Sequence, residues 1–128
     1  MTSTPSDPAR PDGEPVDPMV LGQLRALGGD DAGFLEGIVR SFLAHTERAV
    51  VELRAAATSG DRERLRRAAH GLKGSAGNVG AKPLAALARR VEEAAVAGGD
   101  ARPAVESVAS EAERVRRRLS IELPETRT

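Results

Sequence analysis

An all-α fold, an antiparallel up-down four-helix bundle with a short additional N-terminal helix, follows from three observations. Apolar residues recur at helical spacing through every long segment, no stretch alternates in the manner of a strand, and the breaks between segments are short. Connections of a few residues make consecutive helices antiparallel neighbours.

The elements read off in order. Residues 1–17 hold four of the eight prolines and have no apolar periodicity, which predicts a disordered leader. Val20, Leu21, Leu24 and Leu27 predict a short first helix, ended by Gly28-Gly29. Asp30 or Asp31 can cap the next helix. There Leu35, Ile38, Val39, Phe42, Ala49, Val50, Leu53 and Ala57 keep helical spacing over a long run. Ser59-Gly60-Asp61 breaks that run, with Asp61 as the N-cap of a third helix carrying His70. Gly80 to Lys82 turn the chain, and Pro83 suits a first helical position. Leu84, Leu87, Ala88, Val91 and Ala95 form the next stripe, closed by Gly98-Gly99-Asp100. The last helix is expected to bury Val105, Val108, Ala109, Ala112, Val115 and Leu119. The bundle is thus placed at residues 18–120, with 121–128 as a frayed tail.

Composition narrows the function. The chain has 128 residues, enough for one domain with a real core but not for two. Lys plus Arg and Asp plus Glu number 19 each, so bulk attraction to nucleic acid or an anionic membrane is not expected. The basic cluster Arg114, Arg116, Arg117 and Arg118 is interleaved with Glu106, Glu111 and Glu113, which further disfavours nucleic-acid binding. Two Phe are the only aromatics, leaving little for base stacking or an aromatic-lined pocket. With no cysteine, disulfide and thiolate chemistry are excluded. The N-terminus lacks the pattern of a secretory signal and no apolar run reaches spanning length, so a cytoplasmic protein is expected.

His70 is the residue that stands out. At roughly 100° per residue, Leu65, Ala68, Ala69, Leu72, Ala76 and Val79 gather into one stripe, and His70 lies about 180° from its middle. On the same face lie Glu63, Arg66, Arg67, Lys73, Gly74 and Gly77. Gly71, Gly74 and Gly77 each weaken a helix interior by about 1 kcal/mol relative to Ala. Close approach of another surface accounts for Gly74 and Gly77, and a close helix contact would account for Gly71. His45 falls at the edge of its helix's apolar stripe, without Lys or Gly at matching offsets, and reads as structural.

The run His70-x-Leu72-Lys73-Gly74-Ser75-x-x-Asn78-x-Gly80, followed by Leu84 and Val91-Glu92, resembles histidine-containing phosphotransfer (HPt) domains. The long helix with Phe42-Leu43 and the break at Ser59-Gly60-Asp61 fit as well, so the resemblance spans about residues 18–120. It implies a phosphorelay intermediate, not a kinase. His70 would accept a phosphoryl group from a receiver-domain aspartate and pass it to another receiver. Lys73 would stabilise phosphoryl charge. Gly74, Gly77, Arg66 and Arg67 would meet the partner. Asn78 and Glu92 are further candidates: Asn78 for a hydrogen bond near the helix end, Glu92 because some members carry glutamine there. A carboxylate at that position would repel a phosphoryl group unless turned away or paired.

The implied partners are receiver domains of response regulators and hybrid histidine kinases, met by a monomer. The chain needs no cofactor or metal of its own, and any Mg²⁺ would come with the receiver. The alternative is a helical interaction module that binds receivers or other partners without phosphotransfer.

Overall fold

The computed structural model describes residues 13–124. Five helices follow in order: α1 (Pro18–Leu27), α2 (Gly33–Ser59), α3 (Arg62–Asn78), α4 (Lys82–Ala97) and α5 (Arg102–Ser120). The longer four form a ring in which α2 and α4 each touch α3 and α5, the antiparallel up-down bundle that the short connections require. No helix among the described residues is long and apolar enough to cross a membrane.

Local chemistry sets the ends. Asp61 accepts a hydrogen bond from the Arg64 amide and starts α3. Asp31 accepts from the Gly33 amide, and Asp100 from the Arg102 amide, one residue before each assigned cap. At the far end of α4, Arg62 of α3 donates from its guanidinium to the carbonyls of Ala95 and Val96, satisfying groups the helix leaves open. Gly98 follows with φ +81°, and a Cβ there would stand 3.2 Å from the Arg62 guanidinium carbon. Gly80 is more constrained: φ is +79°, and a Cβ would lie 2.8 Å from Val20 Cβ. That contact seats α1 against the α3–α4 turn.

The core joins the predicted stripes. Leu53, Leu72, Leu84 and Leu119 are fully buried, and truncating such a leucine to alanine typically costs about 2–5 kcal/mol. Many core positions of α3 and α4 are small: Ala69 and Ala76 on one helix and Ala88 and Ala95 on the other are buried. Small side chains let helix axes approach closely, and this pair shares the most extensive contact of the bundle.

Four expectations change. Residues 1–12 of the expected leader lie outside the described residues, but residues 13–17 are packed. Val16 is fully buried, the Asp17 amide donates to the Gly80 carbonyl, and the Asp17 carboxylate both caps α1 and pairs with Lys82. In α1 only Leu21 is buried, and Leu27 is exposed, because α1 lies on the outside of the ring. In α5, Ala109 and Ala112 are half-buried while Glu111 occupies a buried position. Its carboxylate is paired with Arg114, whose guanidinium also donates to the Gly13 carbonyl, and burial raises the Glu111 pKa. Glu111 is therefore not one of the solvated acids offsetting the basic cluster. Of the expected frayed tail, Glu122 pairs with Arg25 and Arg118, and Leu123 packs on the core; residues 125–128 lie outside the described residues.

Candidate functional site

Because α3 turns Leu65, Ala69, Leu72 and Ala76 to the core, His70 faces outward with 62% of its side chain exposed. It is not free. Its Nδ1 lies 3.0 Å from Oε2 of Glu92 on α4. The other carboxylate oxygen, Oε1, lies 3.0 Å from the Lys73 ammonium. Glu92 thus bridges the two residues that sequence singled out one turn apart, and the close α3–α4 packing makes that reach possible.

The bridge fixes the imidazole. An ionised carboxylate can only accept, so the hydrogen of this contact sits on Nδ1. In a neutral ring Nε2 then holds the lone pair, and the exposed ring presents it to solvent. Glu92 is itself only 17% exposed. The Lys73 ammonium foremost, and then His70, hold its carboxyl below the ordinary glutamate range, against the opposing effect of burial. The repulsion expected of a carboxylate at this position is met by pairing.

Around this centre, Arg66 donates from Nε and a terminal nitrogen to both oxygens of Glu63, at 3.1 and 2.8 Å. Arg67 lies 3.6 Å from the same carboxylate. The two arginines expected to meet the partner are here tied to one acid. Gly74 and Gly77 are exposed, with open space where a Cβ would project. Gly71 is equally open, so the close helix contact expected to explain it does not exist. Asn78 is exposed at the last position of α3, and its side chain forms no hydrogen bond among the described residues. His45 on α2 differs in kind: its Nε2 is buried without a hydrogen-bond partner among the described residues.

Glu92 is the residue sequence reasoning undervalued. The signal available was its register: it follows Val91 of the α4 stripe directly, hence at the edge of the helix facing α3. Among the described residues no cluster of three or more His, Cys, Asp or Glu could hold a metal ion.

A helical bundle presenting a carboxylate-held histidine on its surface, with lysine one turn on and bare glycines beside it, has the outline of a phosphotransfer module. Comparison with known proteins gives the family. Residues 37–125 match the Hpt domain family, and the chain belongs to it. The crystal structure of histidine-containing phosphotransfer protein B (HptB) from Pseudomonas aeruginosa PAO1 is similar, with a TM-score of 0.79 at 29% sequence identity. The match covers 87% of this chain and 96% of that one. No curated protein matches. The chain is accordingly a phosphotransfer intermediate of two-component phosphorelays, a family of phosphocarriers.

Proposed function

We propose that His70 Nε2 accepts a phosphoryl group from the aspartyl phosphate of one receiver domain and delivers it to the aspartate of another. The observation that carries this reading is the Glu92 bridge, which holds the ring by Nδ1 and leaves Nε2 exposed to act as the nucleophile. The Nε2 lone pair forms the N–P bond while the P–O bond to aspartate breaks and the carboxylate departs. The ring, still carrying its Nδ1 hydrogen, becomes cationic, and Glu92 lies against that charge. In the return direction the same cationic ring is the better leaving group.

Phosphoryl transfer is loose and in line, so catalysis is largely positioning and charge neutralisation. Lys73, already beside the ring, neutralises the equatorial oxygens. Gly74 and Gly77 admit the partner's aspartyl loop along the line of transfer. Mg²⁺ belongs to the receiver's carboxylates, and this chain supplies neither cofactor nor kinase activity. The four longer helices commit their apolar stripes to the core, and the exposed large apolar residues among those described, Met19, Leu27, Val51, Val96 and Ile121, lie on different elements. Their scatter supports a monomer that binds receivers transiently, with Asn78 at the edge of the docking face; the cytoplasm, where receivers work, is the proposed location.

The test uses a labelled phospho-receiver. Transfer to this protein in an acid-labile, base-stable form, lost in His70→Gln, is the expected result. Binding without label would leave the non-catalytic interaction module instead.

A further inference from the structure

Lys73 cannot serve Glu92 and a new phosphoryl group equally, since both oxygens of Glu92 are engaged, one by Lys73 itself and one by His70. A phosphoryl group brings a charge of about −1.5 to −2. A second cation within reach would relieve this competition. We propose that Arg66 is that cation: it leaves Glu63 for the phosphoryl group on His70, and Arg67 remains as the partner of Glu63. This rests on the reading of His70 as acceptor.

Three features of the geometry carry the exchange. Arg66 precedes His70 by one turn on the same face. Side chains on a helix lean toward its N-terminus, so the His70 ring leans over the turn that holds Arg66. The Arg66 guanidinium is paired chiefly with Glu63 but also feels the charge of Glu92, which places it on the side of the site.

The present partner is also one that can be given up. The Arg66 and Glu63 side chains are 36% and 59% exposed, and exposed pairs of this kind are weak. A phosphoryl group offers a planar guanidinium stronger, charge-assisted bidentate bonds. Glu63 is not stranded when Arg66 leaves, because Arg67 already stands 3.6 Å away. One carboxylate with two arginines is arranged for a swap in which no charge is left alone.

The experiment phosphorylates the full chain with phosphoramidate and follows the phosphohistidine by ³¹P NMR through a pH titration. A guanidinium on the phosphoryl oxygens favours their dianionic form. The phosphoryl midpoint in Arg66→Ala should therefore rise by about half a unit or more. Arg66→Lys should restore part of it. Glu63→Gln, which frees Arg66, should move the midpoint below that of the unaltered protein.

An Arg66→Ala protein that titrates like the parent overturns the proposal. So does one that titrates like the parent but is slow with a phospho-receiver, which would make Arg66 a docking residue alone. Failure of the acceptor reading looks different: no phosphohistidine signal in the parent, or a signal that persists in His70→Gln.

Discussion

The α2–α5 face is grooved and charged and the α3–α4 face is charged, yet only the second joins a histidine to an ion pair. The α2–α5 groove is lined by Leu43, Val50, Val51, Ala112 and Leu123. Arg54 and Glu106 close across it in a bidentate pair at 2.9 and 2.8 Å. Glu113 there is shared by Arg116 and Arg117, but no histidine lines the groove. On the α3–α4 face one carboxylate is shared by His70 and Lys73, and another by Arg66 and Arg67. Three glycines stand in seven residues of α3, whereas α5 has none. Concavity arises wherever helices splay; what sets the α3–α4 face apart is a histidine and a lysine joined through one carboxylate, beside helical positions without side chains.

The most drastic way to break this contrast is through its two histidines. His70→Gln should abolish phosphoryl labelling while leaving the thermal midpoint nearly unchanged, since no core contact is lost. His45→Gln should retain labelling. The opposite pattern, read by autoradiography after incubation with a phospho-receiver, would move the site to α2.

Gly74 gives the next largest effect. Gly74→Gln should strongly impair transfer from a receiver while phosphorylation by phosphoramidate suffers much less. Gly74→Ala meets no atom within 4 Å, so it should stabilise the protein by up to about 1 kcal/mol in denaturant titrations. Gly71→Ala, equally open but turned away from His70, should give the same gain with transfer intact. Normal transfer by Gly74→Gln would remove the docking role.

Lys73→Ala should slow transfer by about tenfold, equivalent to roughly 1.4 kcal/mol of barrier, with helical content unchanged by circular dichroism. Rapid-quench rates equal to the parent in both directions would take Lys73 out of the chemistry.

The smallest effect concerns acid stability. Lys73 and then His70 lower the Glu92 pKa in the folded state, so unfolding at low pH takes up a proton there. The resulting stabilisation is complete above the ordinary glutamate value of about 4.3 and fades as pH falls through the lowered one. Glu92→Gln should flatten the stability–pH curve in that acid window. A curve unchanged from the parent would mean that the bridge contributes nothing measurable.

Much of this was legible before any coordinates. The stripes of α2, α3 and α4, the Asp61 cap and the outward face of His70 all follow from 3.6-residue periodicity, a property within one helix. What escaped depends on relations between segments. Glu92 needed the register of α4 against α3, which no single-helix pattern states. Glu111 was misplaced because the alanines beside it seemed the natural core, while its buried position depends on Arg114 and on Gly13 far away in the chain. Residues 13–17 are too few to show any period, yet Val16 is fully buried. A helix contact would have served to explain Gly71, but open space surrounds it.

If the bare strip at Gly74 and Gly77 is the docking surface proposed above, it has a consequence for how partners are told apart. Where side chains are missing, a visiting surface meets main chain, and main chain is the same whatever the sequence. That part of the encounter reads the shape of a helix, and any partner able to lie flat on it is admitted. On that reading, discrimination would be left to the edges, where Arg66, Arg67 and Asn78 stand. Selectivity and chemistry would then be divided in space except at Arg66, which the proposed exchange draws into both, and new partner preferences would be expected from changes at Arg67 and Asn78.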